Sequence, residues 1–500
     1  MLETTQSDPA RWKALIFICI AQLMVVLDAS VVNIALPSAQ RDLGFSDADR
    51  QWVVTAYTLA FGGLLLFGGR VADTWGRKRA FLTGLVGFAA ASAIAGAAVN
   101  TGMLLGARAL QGVFGALLAP AALSLLTVTF TQGKERAKAF GIFGAISGAG
   151  AAVGLILGGV LTEYLSWRWT MYVNIAFAIV AVFGAVKSVH EHQGERNRNR
   201  LDVPGVMLAS TGLVALVYGF NRAESNGWSS AQTLSLLGAS LVLLTAFVVV
   251  ESKVPAPLLP LRVVADRNRG GAYLSLGLAV IGMFGMFLFL TFYLQIVQGF
   301  SALKTGFAFL PMVVGMMIGA TQVGARLATR VPPRALMGPG LLIAATGMAL
   351  LTRISPTSGY AAVVMPGLLL GLGLGMTFMP AMNLATRGVQ PADAGVASAM
   401  VQTSQQVGGS IGTALLNTIA ASATTTWVAA HAAGAAKAGP AAFRNQAAVH
   451  GYTTAFWWSS GILVLAATVA VTLINTGAHA DPAPQGDSAT YGTPAPVALH

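Results

Sequence analysis

The chain has 500 residues, of which 55% are hydrophobic and 10% charged, with a formal net charge of +12 and a mean hydropathy of +0.69. A soluble domain carries about 25% charged residues, so the composition excludes a soluble globular protein and indicates an all-α polytopic membrane protein. The basic excess does not point to nucleic acid, because Lys and Arg sit in short clusters between apolar runs rather than in one patch.

The first 13 residues are too polar for a signal peptide, and the span after them lacks a small-residue cleavage site, so that span is expected to remain as an anchor. The single cysteine, Cys19, excludes an intramolecular disulfide and gives no basis for a cysteine metal site. Apolar runs predict fourteen spans, at 14–37, 51–69, 80–98, 103–130, 139–162, 170–188, 204–221, 233–251, 271–296, 303–325, 336–352, 359–385, 395–421 and 453–475. With the N-terminus inside, 21 Lys and Arg fall on the inner side and 8 on the outer, which places both termini in the cytoplasm. A faint internal repeat links Gly68-x-Arg70-x-Ala72 to Gly324-x-Arg326-x-Ala328, with Lys78 matching Arg334 at the same offset. The outer loop from Ala423 to Val449 is Ala-rich and could hold a short surface helix. The tail from Thr476 to His500 reads as disordered.

The first span runs LIFICIAQLMVVLDASVVNIALP from Leu15 to Pro37 and carries Asp28 near its middle. An ionised Asp at a helix centre costs about 2.5–3.5 kcal/mol in a bilayer, so such acids usually mark ion or substrate pathways. The alternative is a permanently protonated acid that hydrogen-bonds a neighbouring helix. Asp28 is the one acid placed deep inside a span. After the second span comes Gly69-Arg-Val-Ala-Asp73-Thr-Trp-Gly76-Arg77-Lys78-Arg79. A positive-inside clamp accounts for its cations but not for Asp73, which could accept hydrogen bonds from the positive N-terminus of a nearby helix. Such contacts, made and broken as bundles rock, can bias one conformational state.

In the fourth span Arg108, Gln111, Gly112 and Gly115 fall at i, i+3, i+4 and i+7 and so share one face. Arg108 could snorkel to the outer interface, but a Gln and two glycines beside it favour packing against protein. The fifth span is glycine-dense, and Gly150, Gly154 and Gly158 recur every four residues, a stripe that lets another helix approach closely. Asn33, Tyr57, Gln111, Phe284, Phe287, Gln402, Gln405 and Gln406, with Met286, are candidate lining residues for a substrate cavity, and ordinary helix packing is the competing reading for each. No His lies inside a span, which excludes a histidine proton relay.

The loop from Gly69 to Arg79 resembles the signature loop of the major facilitator superfamily, Gly-x-x-x-Asp-x-x-Gly-Arg-Lys/Arg. The resemblance implies that Gly69, Asp73, Gly76, Arg77 and Lys78 stabilise one state of an alternating-access cycle. Arg108-x-x-Gln111-Gly112 resembles the family's Arg-x-x-Gln-Gly motif, whose Arg is tied to proton coupling. Gly150, Gly154, Gly158 and Gly159 resemble the antiporter motif Gly-x-x-x-Gly-Pro-x-x-Gly-Gly, except that Leu155 stands where the proline is expected. The stretch Leu27-Asp28-Ala-Ser30-Val-Val-Asn33-Ile-Ala35-Leu-Pro37 is similar to Leu-Asp-x-Thr-Val-Val-Asn-x-Ala-Leu-Pro of the fourteen-helix drug:proton antiporters, with Ser30 replacing Thr. Ser166-Trp-Arg-Trp169 with Asn174, Leu201-Asp202-x-x-Gly205, and Tyr293-Leu-Gln295 followed by Gly299-x-Ser301 extend the similarity.

The resemblance implies the major facilitator fold, with six-helix bundles at 14–188 and 271–475, two extra central helices within 189–270, and terminal segments at 1–13 and 476–500. It implies a non-enzymatic, cofactor-free exporter of the bacterial cytoplasmic membrane. Protons and a lipophilic or cationic drug would be its partners, Asp28 and Arg108 would couple the proton, and the unit could work as a monomer. A transporter of another small metabolite in the same fold remains open. A polytopic transferase would need an acid or His constellation that the sequence does not offer, and a fixed pore suits the glycine-packed helices poorly.

Overall fold

The computed structural model describes residues 10–45, 47–131, 133–189, 202–328, 330–432 and 439–475. The expected disordered tail from Thr476 lies outside the described residues.

Among the described residues, fourteen long helical segments follow one another. They are α1 (Ala10–Leu43), α2 (Asp47–Trp75), α3 (Arg77–Gly96), α4 (Thr101–Thr129), α5 (Gly133–Tyr164), α6 (Trp169–Ser188), α7 (Val203–Asn226) and α8 (Ala231–Glu251). A strap with one short helix, Leu261–Ala265, leads to α9 (Arg267–Val297) and α10 (Leu303–Leu327), then α11 (Pro333–Leu351), α12 (Ala361–Thr386), α13 (Ala394–His431) and α14 (Pro440–Leu473). Twelve of these are by themselves long and apolar enough to cross a membrane. Of the other two, α5 carries the glycine stripe, and the Gln, Ser and Thr residues of α13 dilute its hydropathy.

At several helix starts a side chain satisfies one of the free N–H groups left there. Asn100 accepts from Met103 N at 2.9 Å, Asp202 from Gly205 N at 2.9 Å, and Asp266 from Arg269 N at 2.9 Å. α9 ends in a wide π turn over Tyr293–Val297, and α10 holds another over Ile318–Gly324.

Helix pairing is repeated. In the first set α1 packs on α5 and α6, α3 packs on α4 and α6, and α2 packs on α4. In the second set α9 packs on α13 and α14, α11 on α12 and α14, and α10 on α12. Each partner shifts by eight helices, so two six-helix bundles share one arrangement. The short sequence echo is a trace of this, although Arg70 is buried and Arg326 exposed. α7 and α8 are central in sequence but peripheral in space: they pack on each other, and α7 also lies against α2 and α13.

Two expected boundaries move. Among the described residues, the Ala-rich stretch near 423–449 is not all loop. Instead α13 runs on to His431 and α14 begins at Pro440. Trp427 joins the two extensions, with its ring 5.2 Å from Phe443. Large apolar side chains such as Phe183, Leu241 and Trp457 face outward, the reverse of a soluble protein.

Candidate functional site

Asp28 sits in the middle of α1 and is fully enclosed. Arg108 reaches it from α4, with Nη1 2.6 Å from Asp28 Oδ2, and both side chains are 1% exposed or less. Asp28 Oδ1 accepts from Gln111 Nε2 at 3.0 Å and from Asn174 Nδ2 at 2.8 Å. Ser92 Oγ accepts from the same Gln111 amide at 2.7 Å and from Asn174 at 3.3 Å. Arg108 also donates to Gln111 Oε1 at 2.8 Å and from Nε to Val53 O at 3.3 Å. The Tyr57 ring covers its guanidinium at 4.5 Å, and Phe61 stacks on Tyr57 at 5.5 Å.

Four helices thus converge on one carboxylate beside a fifth, α2, which supplies Val53 and Tyr57. Every polar group aimed at Asp28 is an N–H donor, which suits the ionised acid. A buried pair of this kind gains its Coulomb energy only at a large desolvation cost, and removing one partner typically costs about 3–5 kcal/mol. Adding or removing one proton would therefore disturb four helices at once.

Helix spacing explains the arrangement. Arg108, Gln111 and Gly112 share one face of α4, and Gly112 lets that face meet α2, since a Cβ there would lie 2.5 Å from Tyr57 O. The glycine stripe of α5 seats on α1 around the acid. A Cβ on Gly150 would meet Val26 at 2.8 Å, one on Gly158 would meet Val31 at 3.1 Å, and one on Gly154 would collide with Ser30 Oγ. Gly159 turns instead to α10, where Leu303 is 3.6 Å away. α5 is one continuous helix through Leu155.

The loop after α2 sits where the two bundles meet at the end rich in Lys and Arg, here the basic end. Asp73 Oδ1 accepts from Gly395 N at 2.8 Å, and Oδ2 accepts from Val396 N at 3.1 Å. It thereby caps the positive N-terminus of α13. Gly69 allows the contact, because a Cβ there would lie 2.6 Å from Gly395 O. Gly76 has φ +112°, a region that L side chains rarely adopt, and it makes the sharp turn from α2 into α3. Arg77 donates to Asp73 at 3.3 Å and to Pro391 O. Lys78 points away, donating to Val186 O at 3.0 Å.

Two further clusters close the same end. Asp393 takes Arg262 at 2.6 Å and lies 3.9 Å from Arg70. Arg136 of α5 reaches α12, donating to Asn383 Oδ1 at 2.6 Å and to Thr386 Oγ1 at 2.9 Å, and it also binds Phe130 O at 3.0 Å. Burial and then the Arg387 charge lower its guanidinium to about 10, so it stays protonated at neutral pH.

The candidate lining residues separate into groups. Gln111 and Tyr57 belong to the Asp28 cluster. Gln402 and Gln405 on α13 each leave a buried amide nitrogen without a partner among the described residues, and Gln406 packs against Gly62 of α2 at 3.0 Å from a Cβ there. Phe284 of α9 leans over Gly409, one turn along from Gln405, whereas Phe287 packs on Phe309 at 5.0 Å. Met286 is fully buried core. The Asn33 side chain lies outside the described residues. Ser92 and Asn174 were not expected at the site. Asn174 carried a signal, as a lone Asn in apolar α6, while Ser92 in an Ala-rich helix carried none.

Comparison with known proteins agrees with this architecture. The Major Facilitator Superfamily profile matches residues 18–413. The chain is 52% identical over 476 residues to the puromycin resistance protein pur8 of Streptomyces alboniger, covering 95% of this chain and 93% of that one. It is 40% identical to the cephamycin export protein CmcT of Amycolatopsis lactamdurans, covering 82% and 85%. The crystal structure of the human organic anion transporter MFSD10 superposes with a TM-score of 0.65 at 14% identity, covering 93% of this chain and all of that one, a likeness of fold alone. With its helical repeat, its buried acid and these relatives, the chain belongs to the major facilitator superfamily of multi-pass membrane transporters.

Proposed function

We propose that this protein exports antibiotic-like, lipophilic or cationic molecules across a bacterial cytoplasmic membrane in exchange for protons, with Asp28 as the proton carrier. The observation that carries the reading is the enclosed Asp28–Arg108 pair at 2.6 Å, in the middle of a predominantly apolar helix. The names of the relatives, a puromycin resistance protein and a cephamycin export protein, support the substrate class and the direction. The clustering of Lys and Arg supports placing the basic end, and both termini, in the cytoplasm.

In the proposed cycle, the bundles at 14–188 and 271–475 rock against each other. The arrangement described here is the one closed toward the cytoplasm, held by Asp73 on α13, by Arg262 on Asp393 and by Arg136 on α12. A proton arriving from outside neutralises Asp28 and leaves Arg108, Gln111 and Asn174 without the charge they converge on. The four helices then repack, α5 carrying the change along its glycine stripe on α1, and the cytoplasmic contacts separate. Loss of the proton inside restores the carboxylate, which favours a cationic substrate and resets the cycle. The amides of Gln402 and Gln405, without partners among the described residues, would meet the substrate's polar groups.

A susceptibility panel in an efflux-deficient bacterial host tests the reading. Expression should raise tolerance to one or more antibiotics, and an uncoupler should abolish the gain. Unchanged tolerance across the panel, together with greater accumulation of a labelled compound, would show that the direction is wrong.

A further inference from the structure

The Leu201-Asp202-x-x-Gly205 segment has no part in the mechanism above. Asp202 caps α7 through Oδ1, which accepts from Gly205 N at 2.9 Å. Its other oxygen, Oδ2, is buried and without a hydrogen-bond partner among the described residues. Glu251, the last residue of α8, lies alongside. Its Oε2 accepts from Leu259 N at 3.0 Å, and its Oε1 is buried and equally unpartnered. Asp202 is 6% exposed and Glu251 4%. The two orphan oxygens crowd one spot: Glu251 Oε1 lies 2.6 Å from where a Cβ on Gly205 would stand, and Asp202 Oδ2 is nearer still. They are therefore within about 5 Å of each other, where one ionised acid strongly opposes a second. Gly205 leaves the room that both need.

No cation answers the pair among the described residues. Among the described residues, the charged group that bears on Glu251 is Asp202. On α2, Arg70 faces Asp393, while Asp73 and Arg77 are engaged with each other and with the start of α13. On the strap, Arg262 turns to Asp393 and Gln390, Asp266 caps α9, and Lys253 is exposed. Two ionised carboxylates here would repel in a desolvated setting. A single proton between them makes one orphan oxygen a donor and the other an acceptor.

The strap links this pair to the gate. Glu251 holds Leu259 N, and Leu258, Leu259 and Val263 are buried with Leu66 of α2 and Val396 of α13. Three residues beyond Leu259, Arg262 reaches Asp393 at 2.6 Å.

We propose that Asp202 and Glu251 bind one proton between them, and that this proton seats the 252–266 strap against the cytoplasmic gate. With the proton bound, α7 and α8 close together, Leu258 and Leu259 stay seated, and Arg262 holds the start of α13. When the proton leaves to the cytoplasm the two carboxylates part, the strap loosens, and the cytoplasmic end opens more readily. The site is separate from Asp28 and makes gate opening respond to internal pH.

The test uses the full chain in lipid nanodiscs with Cys19→Ser and spin labels at Arg79→Cys and Ala335→Cys, exposed positions at the basic ends of α3 and α11. The distance distribution is recorded across pH 5 to 9, and each variant is repeated with Asp28→Asn. In the Asp28→Asn background, where the opposite response of Asp28 is removed, the open population should rise with pH. Glu251→Gln, which keeps a neutral partner for Asp202, should fold normally and lose the response, as should Asp202→Asn, which can still cap α7. A response unchanged by both substitutions would overturn the proposal. So would a response that disappears with Asp28→Asn alone, which would assign the titration to Asp28 instead.

Discussion

Arg108 of α4 places its guanidinium 2.6 Å from the carboxylate of Asp28 on α1, and neither side chain reaches solvent. The pair is not isolated, because Gln111 and Asn174 complete the shell around Asp28. Arg108→Ala should therefore destabilise the fold by about 3–5 kcal/mol, the cost of leaving one buried charge unanswered. The double variant Asp28→Ala with Arg108→Ala should lose clearly less than the sum of the singles. Thermal unfolding of the four proteins in one detergent measures this, and strict additivity would mean that the two groups do not interact.

A second prediction concerns Gly154. A methyl group there runs into Ser30 Oγ, whose hydroxyl is engaged with Leu27 O at 3.0 Å. Overpacking of this kind costs about 1–3 kcal/mol, so Gly154→Ala should lower both the melting temperature and transport. Adding Ser30→Ala removes the obstructing atom and should restore most of each. Failure of that rescue would place the function of Gly154 somewhere other than the α1–α5 contact.

At the basic end, Asp73→Ala removes two charge-assisted hydrogen bonds to the first turn of α13. Each is worth about 1.5–3 kcal/mol, enough to shift a two-state equilibrium by roughly tenfold or more. A cysteine at Ala399, which packs 2.7 Å from a Cβ on Gly69, should then label faster with a maleimide, in a Cys19→Ser background. Equal labelling rates with Asp73 present or absent would contradict a gating role for the cap.

Arg136 makes a different kind of contact, with several donors spread over Asn383, Thr386 and the end of α4. A lysine keeps the charge but cannot reproduce that fork. Arg136→Lys should therefore open the basic end nearly as much as Arg136→Ala, as read by the same labelling assay. Full closure with lysine would show that charge alone suffices.

Much of the architecture could be read from apolar periodicity and loop charge, because membrane crossing constrains both strongly. The Asp28–Arg108 meeting could not, since it depends on the relative heights of α1 and α4. Ser92 is one small hydroxyl among alanines, and only its neighbours give it meaning. Glu251 stands at the end of the 233–251 span like an ordinary loop acid, and Gly205 enters only through the Leu201-Asp202-x-x-Gly205 similarity. Their relation to Asp202 appears only when α7 and α8 are brought side by side. Similarly, Arg136 counted as one inner cation among 21 until α12 supplied its acceptors. The outward extension of α13 and α14 was missed because polar, Ala-rich sequence there resembles a loop, whereas Trp427 and Phe443 pack the two helices together.

The most direct test is substrate-driven proton movement in proteoliposomes containing the intact protein or Asp28→Asn. With a transported antibiotic identified from the susceptibility panel, the intact protein should exchange substrate for protons, and a pH gradient should drive uphill transport. Asp28→Asn should bind the same substrate yet neither move protons nor accumulate it. Full proton coupling by Asp28→Asn would contradict the account.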